Sequence, residues 1–337
     1  MFSTPTVVGD LVFVAACNGV AQALDRGTGE RRWTLDARQD SDGINFHGDP
    51  LVTENLIVLG SDGPRVDSAA YVYALERATG KVRWKYRADR GVATDIVRDG
   101  ERLYAVSLTD HLICLDLESG RLLWTFASAS SNEKHILARW TPAVSEGRVF
   151  FGGLDGLVYA LDARSGREVW RRDLGSPIWT PILLLPSGLY VGTFDGRVHR
   201  LSGASGAALG GLDVGGLPFG PLTAAGDSLL LLVATDDRGA TLKALDPSLA
   251  QVRWSRDPSA GKWTSGRPYV WKESVLAGSG QGELASISPT DGSVRWSSTL
   301  QGTIRGIGAD VETLYVGTLE GTLYAYAPAE VGDASQR

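Results

Sequence analysis

The sequence predicts an all-β chain, and three observations predict it. One unit recurs along the 337 residues: 156–170 reads GLVYALDARSGREVW, an alternating run, a tight turn and a second short strand ending in tryptophan. Its copies keep a period. Full copies stand at 20–33 (VAQALDRGTGERRW), 72–84 (VYALERATGKVRW), 112–124 (LICLDLESGRLLW), 242–254 (LKALDPSLAQVRW) and 284–296 (LASISPTDGSVRW), a worn copy at 198–210 (VHRLSGASGAALG) and a truncated one at 323–328 (LYAYAP). The stretches between copies are themselves short β-branched and aromatic runs closed by turn residues such as Asn18-Gly19, Asp155-Gly156, Asp195-Gly196 and Glu320-Gly321. The tryptophans of the full copies are 51, 40, 46, 84 and 42 residues apart, the longest gap spanning the worn copy. A strand-built period of about 42 residues marks four-stranded blades. The expected fold is therefore an eight-bladed β-propeller of antiparallel blades.

Each blade has strands A and B ahead of the repeated C–D unit. The blades run 4–35, about 49–86, about 93–126, 141–172, 180–212, 220–255, 267–299 and 305 to about 329. Prolines open the A strands (Pro5, Pro50, Pro142, Pro181, Pro221, Pro268), where a missing N–H costs no ladder bond. In the C–D turn, Asp or Ser bonds the turn's own backbone and Gly supplies the positive φ. A small residue (Ala23, Ala74, Cys114, Ala160, Ala244, Ser286, Ala325) leaves room for the indole of the next strand. In the worn copy Arg200 replaces the small residue and Gly210 the tryptophan. The arginine stem is expected to fill the vacated volume. Nothing after Tyr326 resembles a D strand, so blade 8 is three-stranded or an upstream segment completes it. Residues 1–329 read as one propeller domain and 330–337 as a polar tail.

Composition narrows the partners. A net charge of −6 argues against a nucleic-acid or anionic-membrane partner, and no segment approaches the roughly 20 apolar residues of a membrane span. No signal sequence is evident in MFSTPTVVGD, which reads as a first strand. Cys114 reads as a small core filler, and the two cysteines say little about redox compartment.

Loop lengths carry the functional information. The A–B and C–D turns are short, whereas the long connections (36–48, 61–70, 127–138, 236–239, 258–266) are all of the B–C or D–A kind. That loop-rich face is the expected working surface. Trp140 and Trp179 precede Thr-Pro at A-strand starts, and Phe219 holds the same place in blade 6. Near them in expected position fall Phe46, His47, Asp49, Asp95, Arg139, Lys262, Trp263 and Arg305, a set suited to a protein segment or a small planar anion. Trp271 is expected at a surface or between blades.

No catalytic or metal signature stands out. There is no HExxH, CxxC, Walker or Gly-x-Ser-x-Gly pattern, and the Asp40-Ser41-Asp42-Gly43 run lacks a carboxylate at its twelfth position. Asp25, Asp116 and Asp162 are turn residues of the repeat.

The repeated ALD-x-x-(S/T)-G-x-x-x-W resembles the repeat of pyrroloquinoline-quinone (PQQ) enzymes, and in size the BamB-like group of eight-bladed propellers. Quinone enzymes of that family stack the cofactor on a vicinal disulfide and hold calcium nearby. This chain has no adjacent cysteines, and no acidic set that matches. The shorter members imply a non-catalytic scaffold that recognises a protein partner, with no cofactor. A PQQ-type ligand sensor is the alternative, and a quinone-dependent oxidoreductase ranks below it. As given, the start of the chain suggests the cytoplasm. The resemblance suggests a periplasmic or extracytoplasmic site if an upstream segment is removed.

Overall fold

A computed structural model describes residues 3–40, 45–63, 68–88, 91–129, 141–236 and 239–326. Among these, eight antiparallel sheets follow one another along the chain, seven of four strands and the last, Ile304–Ala309, Leu314–Thr318 and Leu323–Tyr326, of three. In every sheet the strands pair in chain order, A to D. This is the eight-bladed propeller the repeat predicts. Two compact units divide it, Phe2–Ile178 and Trp179–Arg337, with four blades in each.

Register explains the repeat. The small residue of strand C stands opposite the tryptophan of strand D at Ala23–Trp33, Ala74–Trp84, Cys114–Trp124, Ala160–Trp170, Ala244–Trp254 and Ser286–Trp296. Each pair is followed by a register shift, a bulge that leads into the turn. Trp33, Trp84, Trp124 and Trp254 then donate their indole N–H to the next blade's C–D turn, at the carbonyls of Arg77, Leu117, Ala163 and Pro289 (2.9, 2.9, 3.3 and 3.1 Å). The turn glycines Gly80, Gly120, Gly166 and Gly292 have φ of 67–72°. A Cβ on any of them would stand 2.4–2.7 Å from a ring carbon of those indoles. Glycine is therefore needed twice, for the turn and for the tryptophan beneath it.

The worn copy departs from expectation. Arg200 does pair with Gly210, but its guanidinium turns to the A–B turn and donates to the Ser187 carbonyl (2.9 and 2.6 Å). The space beside Gly210 is closed by the following blade, whose Ser248 carbonyl lies 3.0 Å from where a Cβ would be. The Tyr190 hydroxyl takes over the indole's bond, donating to the Pro247 carbonyl at 2.6 Å. Because Ser248 and Leu249 of the next blade occupy that space, Arg200 takes its charge to a carbonyl at the A–B turn rather than burying its stem.

The cores sit between successive blades. Phe13, Phe46, Leu59 and Tyr73 fill the space between blades 1 and 2, and Leu232, Leu242, Trp263 and Ile287 that between blades 6 and 7. Trp271 is an inter-blade residue: its ring packs on the blade 7–8 core and its N–H bonds the Asp310 carbonyl at 2.8 Å. Cys114 is fully buried, as expected of a core filler.

The B–C ends share a turn in six blades. In blades 1, 3, 4, 5, 7 and 8, residue i donates to i+4 across the strands and i+3 donates back to i, as at Gly153, Gly156 and Leu157. The connection expected at 236–239 is instead a hairpin end, because pairing of Ser228–Asp236 with Gly239–Leu245 continues to Asp236–Gly239. Strand A of blade 6, Leu217–Ala225, begins earlier than its proline suggests. Pro221 falls where the register shifts between Phe219 and Thr223, so its absent N–H leaves no ladder bond broken.

Candidate functional site

Arg139 and Trp140, with the connection that carries them, lie outside the described residues, as do Ser41–Gly43 of the acidic run and the tail. The other candidates divide between the two units.

In the first unit, the chain ahead of blade 2 lies against two B–C ends. Phe46 donates its N–H to the Ala16 carbonyl (3.4 Å), and its ring, fully buried, meets Tyr73 edge-on. Asn45 and Asp62 exchange both backbone hydrogen bonds, an isolated bridge. These ties place His47 over Asp62, with Nδ1 at 2.6 Å from Oδ1. Asp62 is 2% exposed and His47 17%. Burial pulls the imidazole down, but hydrogen bonds to Asp62 and to the Cys17 thiol outweigh it and raise His47 to about 9. Asp49 accepts the Thr4 N–H and donates its own to the Asp95 carboxylate (2.5 and 2.7 Å). Both carboxylates thus organise backbone. A Cβ on Gly48 would stand 2.3 Å from the Thr94 carbonyl, so the two segments touch through glycine.

A second polar cluster in this unit was not foreseen. Asp110 takes the place in the B–C turn that glycine holds in other blades, with φ of 62° against 78° at Gly19 and 81° at Gly156. It is 1% exposed. One oxygen accepts the Ser128 hydroxyl (2.5 Å) and the Leu154 N–H (3.2 Å), and Oδ1 has no partner among the described residues. Burial pushes its carboxyl up to about 6 despite these bonds, and the nearby Asp155 charge adds to the rise. Asp155 itself accepts from Tyr159 (2.5 Å), Ala129 (3.0 Å) and Leu157 (2.9 Å). Aligning the turns on Gly19, Gly156, Gly196 and Gly321 would have singled out Asp110.

In the second unit, Trp179 donates its N–H to the Gly192 carbonyl (2.8 Å), and its half-buried ring meets Phe194 edge-on at 5.1 Å. Phe194, 54% exposed at the tip of the blade 5 B–C turn, was missed in the sequence although it directly precedes Asp195-Gly196. Phe219 is half-buried against the blade 6–7 core. Lys262 is engaged by Asp257 (3.1 Å) and Thr241 (3.3 Å). Trp263 presents no ring outward: it is 1% exposed, bridges Ala240 and Ser279, and donates its indole N–H to the Arg256 carbonyl at 2.8 Å. Arg305 accepts from Gly266 through its carbonyl, while its guanidinium reaches the Thr264 carbonyl at 3.5 Å.

Among the described residues no three Asp, Glu, His or Cys side chains converge on a point that would hold a metal, and no helix is long and apolar enough to cross a membrane. The residues do not fit a quinone as the resembled enzymes hold it. The two cysteines are separated, Trp263 is sealed in the core, and Trp179 is covered on one edge by Phe194.

Repeat, register and the indole-to-turn bond together define a propeller of the PQQ-repeat class. Within that class the chain belongs to the family described as outer membrane protein assembly factor BamB, whose profile matches residues 1–70, 65–177 and 129–330. That description is of an assembly factor, not an enzyme. The assembly factor BamB of Shewanella oneidensis is 27% identical over 222 residues, covering 64% of this chain and 54% of that protein. The chain spans a little over half the length of the BamB relatives from three bacteria. A 1-butanol dehydrogenase (cytochrome c) of Thauera butanivorans is 40% identical over 99 residues, but these are 27% of this chain and 14% of that enzyme. The crystal structure of BamB from Moraxella catarrhalis superposes with a TM-score of 0.78 over 97% of this chain at 17% identity, a likeness of fold.

Proposed function

We propose that the chain is a non-catalytic recognition propeller that docks a protein partner in outer-membrane protein assembly, on the extracytoplasmic side, through its B–C and D–A connections. The observation that carries this reading is Phe194. This large aromatic ring, held 54% in solvent and braced edge-on by Trp179, offers a partner a rigid aromatic contact on that face. The names of the relatives support the setting. Arg139, Trp140, Asp95 and Arg305 are proposed as further contact residues on the same connections. A planar ligand such as PQQ has less support, since Trp263 is enclosed.

Site-specific photo-crosslinking in cells tests the reading. A photoreactive residue at position 194 is expected to capture a discrete envelope-assembly protein, and the same residue at position 119, in a C–D turn, is not. Equal capture at both positions, or none at 194, removes the case for this face.

A further inference from the structure

Strand D is the outer edge of every four-stranded blade, and the free backbone groups of an edge need guarding against stray pairing. Five D strands carry arginine or lysine within them, as Val82–Ala88 does with Arg83, Lys85 and Arg87. A sixth, Leu122–Ala127, has no charge but keeps its tryptophan. Among the described D strands, Ala208–Asp213 of blade 5 alone has neither guard. It reads ALGGLD, with its one charge at the last position. The fold asks for glycine at only one of the two central places. Gly210 makes room for the Ser248 carbonyl, whereas a Cβ on Gly211 would meet nothing closer than the Arg197 guanidinium at 3.6 Å, and the φ of Gly211 is not positive.

Register shows where this edge points its backbone. Gly211 stands opposite His199 and Asp213 opposite Arg197, and Val214, one residue on, donates its N–H to the Gly196 carbonyl at 2.9 Å. Bonded and non-bonded pairs alternate in an antiparallel ladder, so Gly211 and Asp213 turn their N–H and C=O away from strand C. Both are exposed, and Leu209 beside them is 48% exposed. The edge ends at the turn that carries Phe194, because Gly196 belongs to that turn.

We propose that the outer edge of blade 5 is a strand-docking site, which takes an extended aromatic segment of the protein partner as a fifth strand paired with Ala208–Asp213. The inference rests on the reading of the chain as a partner-binding propeller and adds the form in which the partner docks. Backbone donors and acceptors two residues apart, with no side chain over Gly211, match another extended chain. Side chains of that chain opposite Gly210 and Gly211 meet bare backbone, which aromatic rings cover best. Nothing from Ala208 to Leu212 is charged, so the middle of the segment is uncharged as well. A second copy fits less well, since pairing two chains through Gly211 sets each Asp213 against the other's Leu209.

The probe is an end-capped ten-residue peptide alternating tyrosine and threonine, followed by fluorescence anisotropy against the whole chain. A twin peptide, N-methylated at alternate residues so that one edge cannot pair, is expected to bind at least about tenfold more weakly. Gly211→Pro removes an N–H that bonds nothing within the sheet, so it should leave thermal unfolding near that of the parent while weakening the first peptide at least about tenfold. Gly211→Ala keeps the N–H and should bind as the parent does. Phe194→Ala should also leave peptide binding unchanged, so the edge and the crosslinking at position 194 fail separately. No binding to the parent, equal binding of both peptides, or a folded Gly211→Pro chain that binds as the parent does overturns the proposal. So does sedimentation that shows a parent dimer and a Gly211→Pro monomer, which would give the edge to a second copy.

Discussion

Strand C of blade 3, His111–Asp116, ends in one aspartate and directly follows another, Asp110, and their fates are opposite. Asp116, at the C–D end, lies near solvent and accepts the backbone N–H and hydroxyl of Ser119 (2.9 and 2.5 Å), which hold its carboxyl below the usual range. Asp110, just before the B–C end, is buried with one oxygen unpartnered among the described residues and its carboxyl pushed up to about 6. About 20 Å of strand separates them. The same turn chemistry recurs at Asp162 and Asp246, each lowered first by its own turn serine, and at Asp25, lowered first by Arg32 of the next strand and then by Thr28 of the turn. Nothing among the described B–C turns repeats Asp110. The repeated end holds the blades together, and the end where copies differ carries costs that the fold does not require.

The largest effect is expected at the repeated end. Trp84 donates to the Leu117 carbonyl and lies under Gly120, whose added Cβ would come within 2.4 Å of the ring. Trp84→Ala empties that contact and leaves a carbonyl unpaired, and should cost about 3–5 kcal/mol in urea unfolding. A loss under about 1 kcal/mol would mean that blades 2 and 3 do not depend on it, and the contrast between the two ends would lose its first half.

How far each end was legible follows from the same contrast. The C–D end was read almost whole, because Asp-x-x-Ser/Thr-Gly and the small residue opposite tryptophan recur in copy after copy. Its one misreading, Arg200, concerns space that the next blade's Ser248 and Leu249 fill, and a residue's own copy holds no information on that. The B–C end was read only as a face. Phe46 and Trp263 were picked out for their rings, yet both are core wedges, since an aromatic in a loop serves as an anchor as readily as a contact. Asp110 was hidden by a turn with no glycine in it. Asp62 met His47 only through a backbone bridge that no local pattern announces.

The next effect has the opposite sign. Asp110 has a folded-state carboxyl above its unfolded value, so the native chain holds a proton that the unfolded chain releases between about pH 4 and 6. The contribution is fully present below about pH 4 and is lost as pH climbs through about 6. Asp110→Asn keeps a residue that tolerates positive φ and can still accept from Ser128 and Leu154. It should be more stable than the parent by roughly 1–3 kcal/mol at pH 7.5, with the difference shrinking toward pH 4. Urea midpoints at both pH values measure it. A destabilised variant at pH 7.5 would show that the carboxylate charge is used where it stands.

The smallest effect belongs to the other end of the strand and has the reverse pH sense. Asp116 is lowered in the folded chain, first by the Ser119 hydroxyl and then by its N–H. Its contribution is therefore present above about pH 4 and is lost as pH falls below that value. Asp116→Asn retains an oxygen that accepts both bonds and removes only the charge. Because the turn is near solvent and screened, the change should stay under about 1 kcal/mol at pH 7. It should also make the acid limb of unfolding shallower below pH 4, whereas Asp110→Asn acts between pH 4 and 6. Acid titration of both variants, followed by tryptophan fluorescence, separates the two windows. If the two substitutions alter the same window in the same direction, the ends of this strand are not electrostatically distinct.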